Sequence, residues 1–177
     1  MSDWPDIRRI PGTPAGVYST AFAMLGMNNA GVASTSWPAA NLALFVPMRV
    51  GRPEVIYKLA VGAGSTAAGN FDVGVYDAQG NLLVSSGATA KGASTEHVID
   101  IADTLVGPGI YYLALAADGT NNYVMHTPSG TSPVPLQKQR LYGTLEAASA
   151  YTLPSAVTFA ACTNVGIPMI AAYTRPH

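Results

Sequence analysis

The sequence predicts an all-β protein, an antiparallel β-sandwich of the jelly-roll type with an extended N-terminal arm. Three observations carry the prediction. Apolar residues alternate with polar or small ones over short runs, the period of a half-buried strand and not of a helix. The runs recur at intervals of about ten residues, divided by Gly-, Pro-, Asn- and Asp-rich turns, with no helical stretch between them. The clearest unit runs from Phe71 to Val84. Phe71, Val73 and Val75 alternate with Asp72, Gly74 and Tyr76, which predicts one buried face. Asp77-Ala78-Gln79-Gly80-Asn81 then turns the chain, Asp77 accepting backbone hydrogen bonds and Gly80 taking a positive φ. Leu82-Leu83-Val84 returns as the second strand.

Residues 1–40 read differently from the rest. Pro5, Pro11, Pro14 and Pro38 punctuate them, each biasing its predecessor away from helix. Asp3, Asp6, Arg8 and Arg9 place four charges within the first nine residues. Trp4, Ile7, Ile10, Phe22 and Met24 are too apolar for a solvated tail. The stretch is therefore read as an arm that lies on a neighbouring surface, with Trp4, Ile7, Arg8, Arg9, Ile10 and Phe22 as its docking residues. Val17 to Leu25 is apolar but short, and periodicity leaves strand and helical turn both open.

Residues 41–177 form the sandwich. Leu42–Met48 is the first strand, with Pro47 suiting an edge or a strand end. Gly51-Arg52-Pro53 turns into the alternating run Val55 to Val61. A loop of small residues, Gly62 to Gly69, leads into the hairpin, and a second one, Ser85 to Gly92, leaves it. Thr95, His97, Ile99 and Ile101 alternate with Glu96, Val98 and Asp100. Gly107-Pro108-Gly109 is a turn. Ile110–Ala116 is apolar on both faces and belongs in the middle of a sheet. Asp118–Asn122 turns into the short strand Tyr123–His126. Thr127 to Leu136 carries three prolines and a glycine and reads as a loop. Leu141–Leu145 and Ile167–Tyr173 close the fold, for roughly eight strands.

Composition narrows the function. Only 11% of the 177 residues are charged, against about 25% in an ordinary soluble domain, while 49% are apolar. A monomer normally covers itself in charge, so an obligate oligomer or assembly subunit is expected. Nine Lys and Arg against ten Asp and Glu give a net charge of −1, which argues against nucleic-acid binding. No run of eighteen apolar residues occurs, so no membrane helix is expected. The acidic, polar start, Met1 to Asp6, lacks the basic and apolar regions of a signal peptide, so synthesis in a cytoplasm is expected.

No catalytic, metal or cofactor constellation stands out. His97, His126 and His177 are far apart, without partners at metal-ligand spacing. Asp72 and Asp77, five residues apart, fall on opposite faces of one strand, a poor acid–nucleophile pair. Cys162, the lone cysteine, reads as a small buried hydrophobe. The single ligand-binding candidate is a glycan face around one turn, comprising Tyr111, Asp118, Asn121, Asn122, Tyr123 and His126, because aromatic rings beside amides and carboxylates suit sugars. Core or subunit-contact roles for the tyrosines compete with it.

The hairpin Phe71-Asp72-Val73-Gly74-Val75-Tyr76-Asp77, the return Gly80-Asn81-Leu82-Leu83-Val84-Ser85-Ser86-Gly87 and the strand Gly109-Ile110-Tyr111-Tyr112-Leu113-Ala114-Leu115 together resemble a jelly-roll domain of tailed-bacteriophage virion proteins. Leu44-Phe45-Val46-Pro47, Leu153-Pro154-Ser155 and Ile167-Pro168-Met169-Ile170 extend the resemblance over about residues 41 to 175. The hairpin is also similar to extracellular bacterial β-sandwich modules that bind carbohydrate or accompany secreted peptidases. The virion resemblance implies a non-enzymatic fibre, spike or decoration subunit, assembled as a homotrimer and located in the virion. It further implies contact with capsid or tail proteins, gripping a host-surface glycan in some cases, and carries over no catalytic residue.

Overall fold

The computed structural model describes residues 17–19, 32–126, 144–162 and 166–177. All of their regular structure is β. The strands are β1 (Val17–Ser19), β2 (Val32–Ser36), β3 (Leu42–Val50), β4 (Glu54–Gly62), β5 (Asn70–Asp77), β6 (Leu82–Ser85) and β7 (Thr89–Ala90). They continue with β8 (Glu96–Val106), β9 (Gly109–Ala117), β10 (Asn122–His126), β11 (Leu145–Ala148), β12 (Ala160–Ala161), β13 (Ile167–Pro168) and β14 (Ile170–Pro176). Every pairing is antiparallel. Short pieces such as β7 and β12 take the number past the eight expected.

Three sheets result among the described residues. One has the order β1-β14-β4-β8, a small one β13-β10-β2, and the largest β12-β11-β3-β9-β5-β6, with β7 also on β5. β9 sits between β3 and β5, as its doubly apolar sequence predicts. β14, β4 and β8 lie against β9, β5 and β6 in turn. Side chains of all three sheets, including Leu44, Ile56, Leu59, Val73, Leu113, Met125 and Ile170, fill one core between them, the packing expected of stacked sheets.

The hairpin turn forms as its residues dictate. Asp77 Oδ1 accepts the N–H groups of Gln79 and Asn81 at 2.9 and 2.8 Å, and Gly80 has φ +89°. The expectation of a single buried face on β5 is corrected, because Phe71 through Tyr76 are all buried. A second core explains it. Phe45, Tyr76, Tyr112, Ala114, Ala116 and Leu145 on the far face of the large sheet are covered by Ala150 and Leu153, with Val157 and Phe159 packed alongside. Phe159 meets Phe45 edge-on at 5.1 Å and Tyr112 at 4.5 Å. Residues 149–159, between β11 and β12, therefore act as a cover for that sheet.

A second departure lies in β4. Its alternation breaks at Tyr57, where both neighbours shift register: Ile56 pairs with Thr174 and Thr104, and Lys58 with Tyr173 and Asp100. The bulge lets Ile56 and Leu59, three residues apart, both point into the core.

The two described stretches of residues 1–40 are tied to the body. Val17–Ser19 pairs with Ala171–Tyr173 of β14, and Val32–Ser36 pairs with β10. Trp37 is 1% exposed and its indole N–H donates to the Leu42 carbonyl at 2.9 Å. From Val32 onward this part of the chain belongs to the packed body. Trp4, Ile7, Arg8, Arg9, Ile10 and Phe22 lie outside the described residues.

Candidate functional site

The six residues of the expected glycan face do not form one. Tyr111 stands near the start of β9 and Asp118 just past its end, roughly 24 Å apart at strand rise. Tyr111 is half-buried and its hydroxyl donates to the Gly107 carbonyl at 3.2 Å. Tyr123 is 1% exposed, its ring edge-on to Trp37 at 5.1 Å and to Phe71 at 6.4 Å. Burial, and behind it the Asp118 charge, pushes its hydroxyl well above the ordinary tyrosine value. A ring so placed offers no face to a sugar. His126 ends β10, its backbone paired with Val32 and Ile167.

The three remaining residues brace a loop. Asp118 Oδ2 accepts the backbone and side-chain N–H groups of Asn70, both at 2.9 Å. Asn121 Nδ2 donates to the Ala68 carbonyl at 2.8 Å. Asn122 Oδ1 accepts the Ser36 hydroxyl at 3.0 Å. Their polar groups hold the small-residue loop before β5 against β2 and β9, and so are already engaged.

The other titratable groups are engaged in the same way. Asp72, 1% exposed, accepts the Leu153 N–H at 3.0 Å and the Ser86 hydroxyl at 3.2 Å. Burial raises its carboxyl above the usual range, with those hydrogen bonds opposing. At Asp77 slight burial also raises the carboxyl, but four hydrogen bonds from Asn81, Gln79 and Gly80 outweigh it and hold the group below its ordinary value. His97 Nε2 accepts the Gly92 N–H at 3.0 Å while its ring packs on Phe71 at 5.2 Å. Cys162 is partly buried against the main core. Among the described residues no three His, Cys, Asp or Glu side chains gather as a metal site, and no helix is long and apolar enough to cross a membrane.

No family model, curated protein or solved structure matches the chain. Function has to be argued from its own chemistry.

Lys91 is the residue that pattern reading passed over. It is 5% exposed, lies 5.2 Å over the Tyr123 ring and donates to the Thr66 carbonyl. Burial lowers its ammonium below the ordinary lysine value. Its signal was present: it is the one charged residue of the loop Ser85 to Gly92, otherwise built of Gly, Ala, Ser and Thr. Beside it a shallow cleft of about 420 Å³ is lined by Ser34, Gly64, Ser65, Thr95, Glu96 and Val124. Ser34 Oγ accepts the Ser65 N–H at 3.0 Å and donates to the Ser65 hydroxyl at 3.4 Å, and no aromatic ring of the described residues lines the cleft. The arrangement is suited to holding loops together.

Proposed function

We propose that the chain is a non-enzymatic structural subunit of a tailed-phage virion, a fibre, spike or decoration protein. Its jelly-roll sandwich self-associates, and its N-terminal segment docks through Trp4, Ile7, Arg8, Arg9, Ile10 and Phe22 on capsid or tail proteins. One observation carries the reading. The acidic and polar side chains that could serve chemistry, Asp72, Asp77, Asp118, Asn121 and Asn122, are bonded to the fold's own backbone and side chains. The chain's low charge meanwhile suits a surface covered by other subunits. The likeness of the hairpin and β9 to virion jelly rolls supports the same reading. Tyr123, in the core, has no sugar-stacking role in it.

Light scattering on the purified chain tests self-association, and cosedimentation with intact particles tests docking. The expected results are a mass several times that of one chain and retention with the particle. A monomer that leaves particles in the supernatant overturns the proposal.

A further inference from the structure

We infer that residues 149–159 are a releasable cover over the far face of the large sheet, latched by the buried Asp72 carboxyl while it is protonated and let go as it ionises.

The cover is built to lift by itself. It leaves and returns at one neck, where β11 meets β12 at Leu145↔Ala161 and Glu146↔Ala160, and β11 is held by β3 from Leu42 to Phe45. Lifting the loop leaves those ladders whole. Beneath it β5 is paired on both sides, with β9 and with β6 and β7. The cover is tied down by isolated hydrogen bonds instead. The Ala150 N–H donates to the Asn41 carbonyl at 2.9 Å, the Leu82 N–H to the Ser155 carbonyl at 2.9 Å and the Val157 N–H to the Gly80 carbonyl at 2.8 Å. Three alternate residues of β5 hold its middle. Asp72 accepts the Leu153 N–H and Tyr76 donates to the Pro154 carbonyl. Gly74, between them, makes room for Leu153, since a Cβ there would lie 2.9 Å from Leu153 Cδ1. Segments tied this sparsely open before the ladders do.

Of these ties, only Asp72 changes charge between acid and neutral pH. Among the described residues no cation pairs with it. Tyr76 on its own strand and Tyr151 on the cover are the titratable groups that feel its charge, and Asp118 also acts on Tyr151. The loop after β6 presents the Ser85 and Ser86 hydroxyls, and β9 presents Ala116.

The hydrogen count favours the neutral acid. Ser86 Oγ lies 3.2 Å from Asp72 Oδ1 and 3.0 Å from the Gly87 carbonyl oxygen, and it accepts the Val73 N–H at 3.1 Å. One hydroxyl hydrogen cannot serve both oxygens. A protonated carboxyl donates to Ser86 Oγ, Ser86 donates to Gly87, and Asp72 Oδ2 still accepts the Leu153 N–H. An ionised carboxyl takes the Ser86 hydrogen from Gly87 and stays a buried charge without a counter-ion. That cost falls when the cover lifts and water enters. Burial raises this carboxyl, and hydrogen bonds from Leu153, Ser86, Ser85 and Gly87 oppose it. The closed cover is therefore favoured at low pH and loosened as pH rises through the raised value. Release bares Phe45, Tyr76 and Tyr112.

Amide hydrogen exchange on the full chain tests this between about pH 4 and about pH 7, each rate divided by that of the unstructured chain at the same pH. Protection of the Leu153 and Val157 amides should fall ~10-fold relative to Leu113 and Leu115 of β9. Asp72→Asn, the isostere of the protonated acid, should abolish the fall. Titration of the wild-type carboxyl carbons by NMR should give Asp72 the same midpoint as the loss of protection. If Asp72→Asn does not fold, that coincidence decides alone. Cover amides that keep pace with β9 at both pH values, a fall that survives in Asp72→Asn, or midpoints that differ overturn the latch.

Discussion

The carboxylate of Asp72 accepts the backbone N–H of Leu153 across 81 residues of sequence, at 3.0 Å, with both residues buried. This bond fastens the cover of residues 149–159 to the large sheet, and Tyr76 adds a second tie through its hydroxyl to the Pro154 carbonyl at 2.7 Å. Asp72→Ala leaves a buried N–H without its acceptor and is expected to destabilise the fold by about 1–3 kcal/mol. Urea denaturation measures it; a change indistinguishable from zero contradicts the fastening role.

The same carboxyl gives a pH signature. Burial raises its folded value above the ordinary 3.8, so the native state holds the proton more tightly than the unfolded chain. Its contribution to stability is full below 3.8 and is lost as pH rises through the raised folded value. Asp72→Asn, which carries no titrating group, should lack that decline. The urea midpoint of the wild type should fall relative to the Asn variant between acid and neutral pH. Parallel midpoints across that range would count against a buried, raised carboxyl.

Gly80 joins the hairpin turn to the cover. It has φ +89°, its carbonyl accepts the Val157 N–H at 2.8 Å, and a Cβ there would collide with the Val157 carbonyl oxygen. Gly80→Ala therefore strains the backbone and pushes the cover away, a combined loss of about 2–4 kcal/mol. Gly87 also has a positive φ, +66°, but has open space around its Cα, so Gly87→Ala should show only the backbone part, about 1 kcal/mol. Equal losses at the two sites would deny Val157 its part.

These contacts also mark where the sequence is readable and where it is not. The Asp77–Asn81 turn is legible because its hydrogen bonds close within five residues. β9 is legible because its sequence is apolar on both faces, which fits a strand whose sheet is packed between the main core and a second one. The cover is not: Thr144 to Cys162 has neither strict alternation nor helical period, and its place depends on partners such as Asp72 and Phe45 far upstream. The Tyr57 bulge is hidden for a related reason, since Val55 to Val61 alternates well on paper and only the neighbours' register reveals the extra residue. Tyr123 was misleading because a tyrosine next to Asn and Asp reads alike on a binding loop and at the end of a core strand. Trp37, which fills the space beside it, lies 86 residues earlier by the numbering.

That burial gives Tyr123 a testable role in the core. Tyr123→Ala removes the ring shared by Trp37, Phe71 and Lys91 and should cost about 3–5 kcal/mol. Tyr123→Phe keeps the ring and should lose much less. A Tyr123→Ala protein as stable as the wild type would return the residue to the surface.

Lys91 supplies the opposite case, a charge whose removal is expected to be harmless. Its ammonium lies on the Tyr123 ring and bonds the Thr66 carbonyl, and no salt bridge ties it to a carboxylate among the described residues. Lys91→Met keeps the aliphatic contact and removes the desolvated charge, so at neutral pH it should be neutral or stabilising by about 1 kcal/mol. Because burial depresses the folded value below 10.5, the unfolded chain binds the proton more tightly. The lysine's contribution is full above 10.5 and is lost as pH falls through the folded value. Wild-type stability should therefore gain on the Met variant as pH is raised into the alkaline range, read from urea midpoints at several pH values. A gap that closes in the other direction, or a large loss in Lys91→Met at pH 7, would mean that the ammonium is held by a stabilising charge partner and not tolerated on a ring.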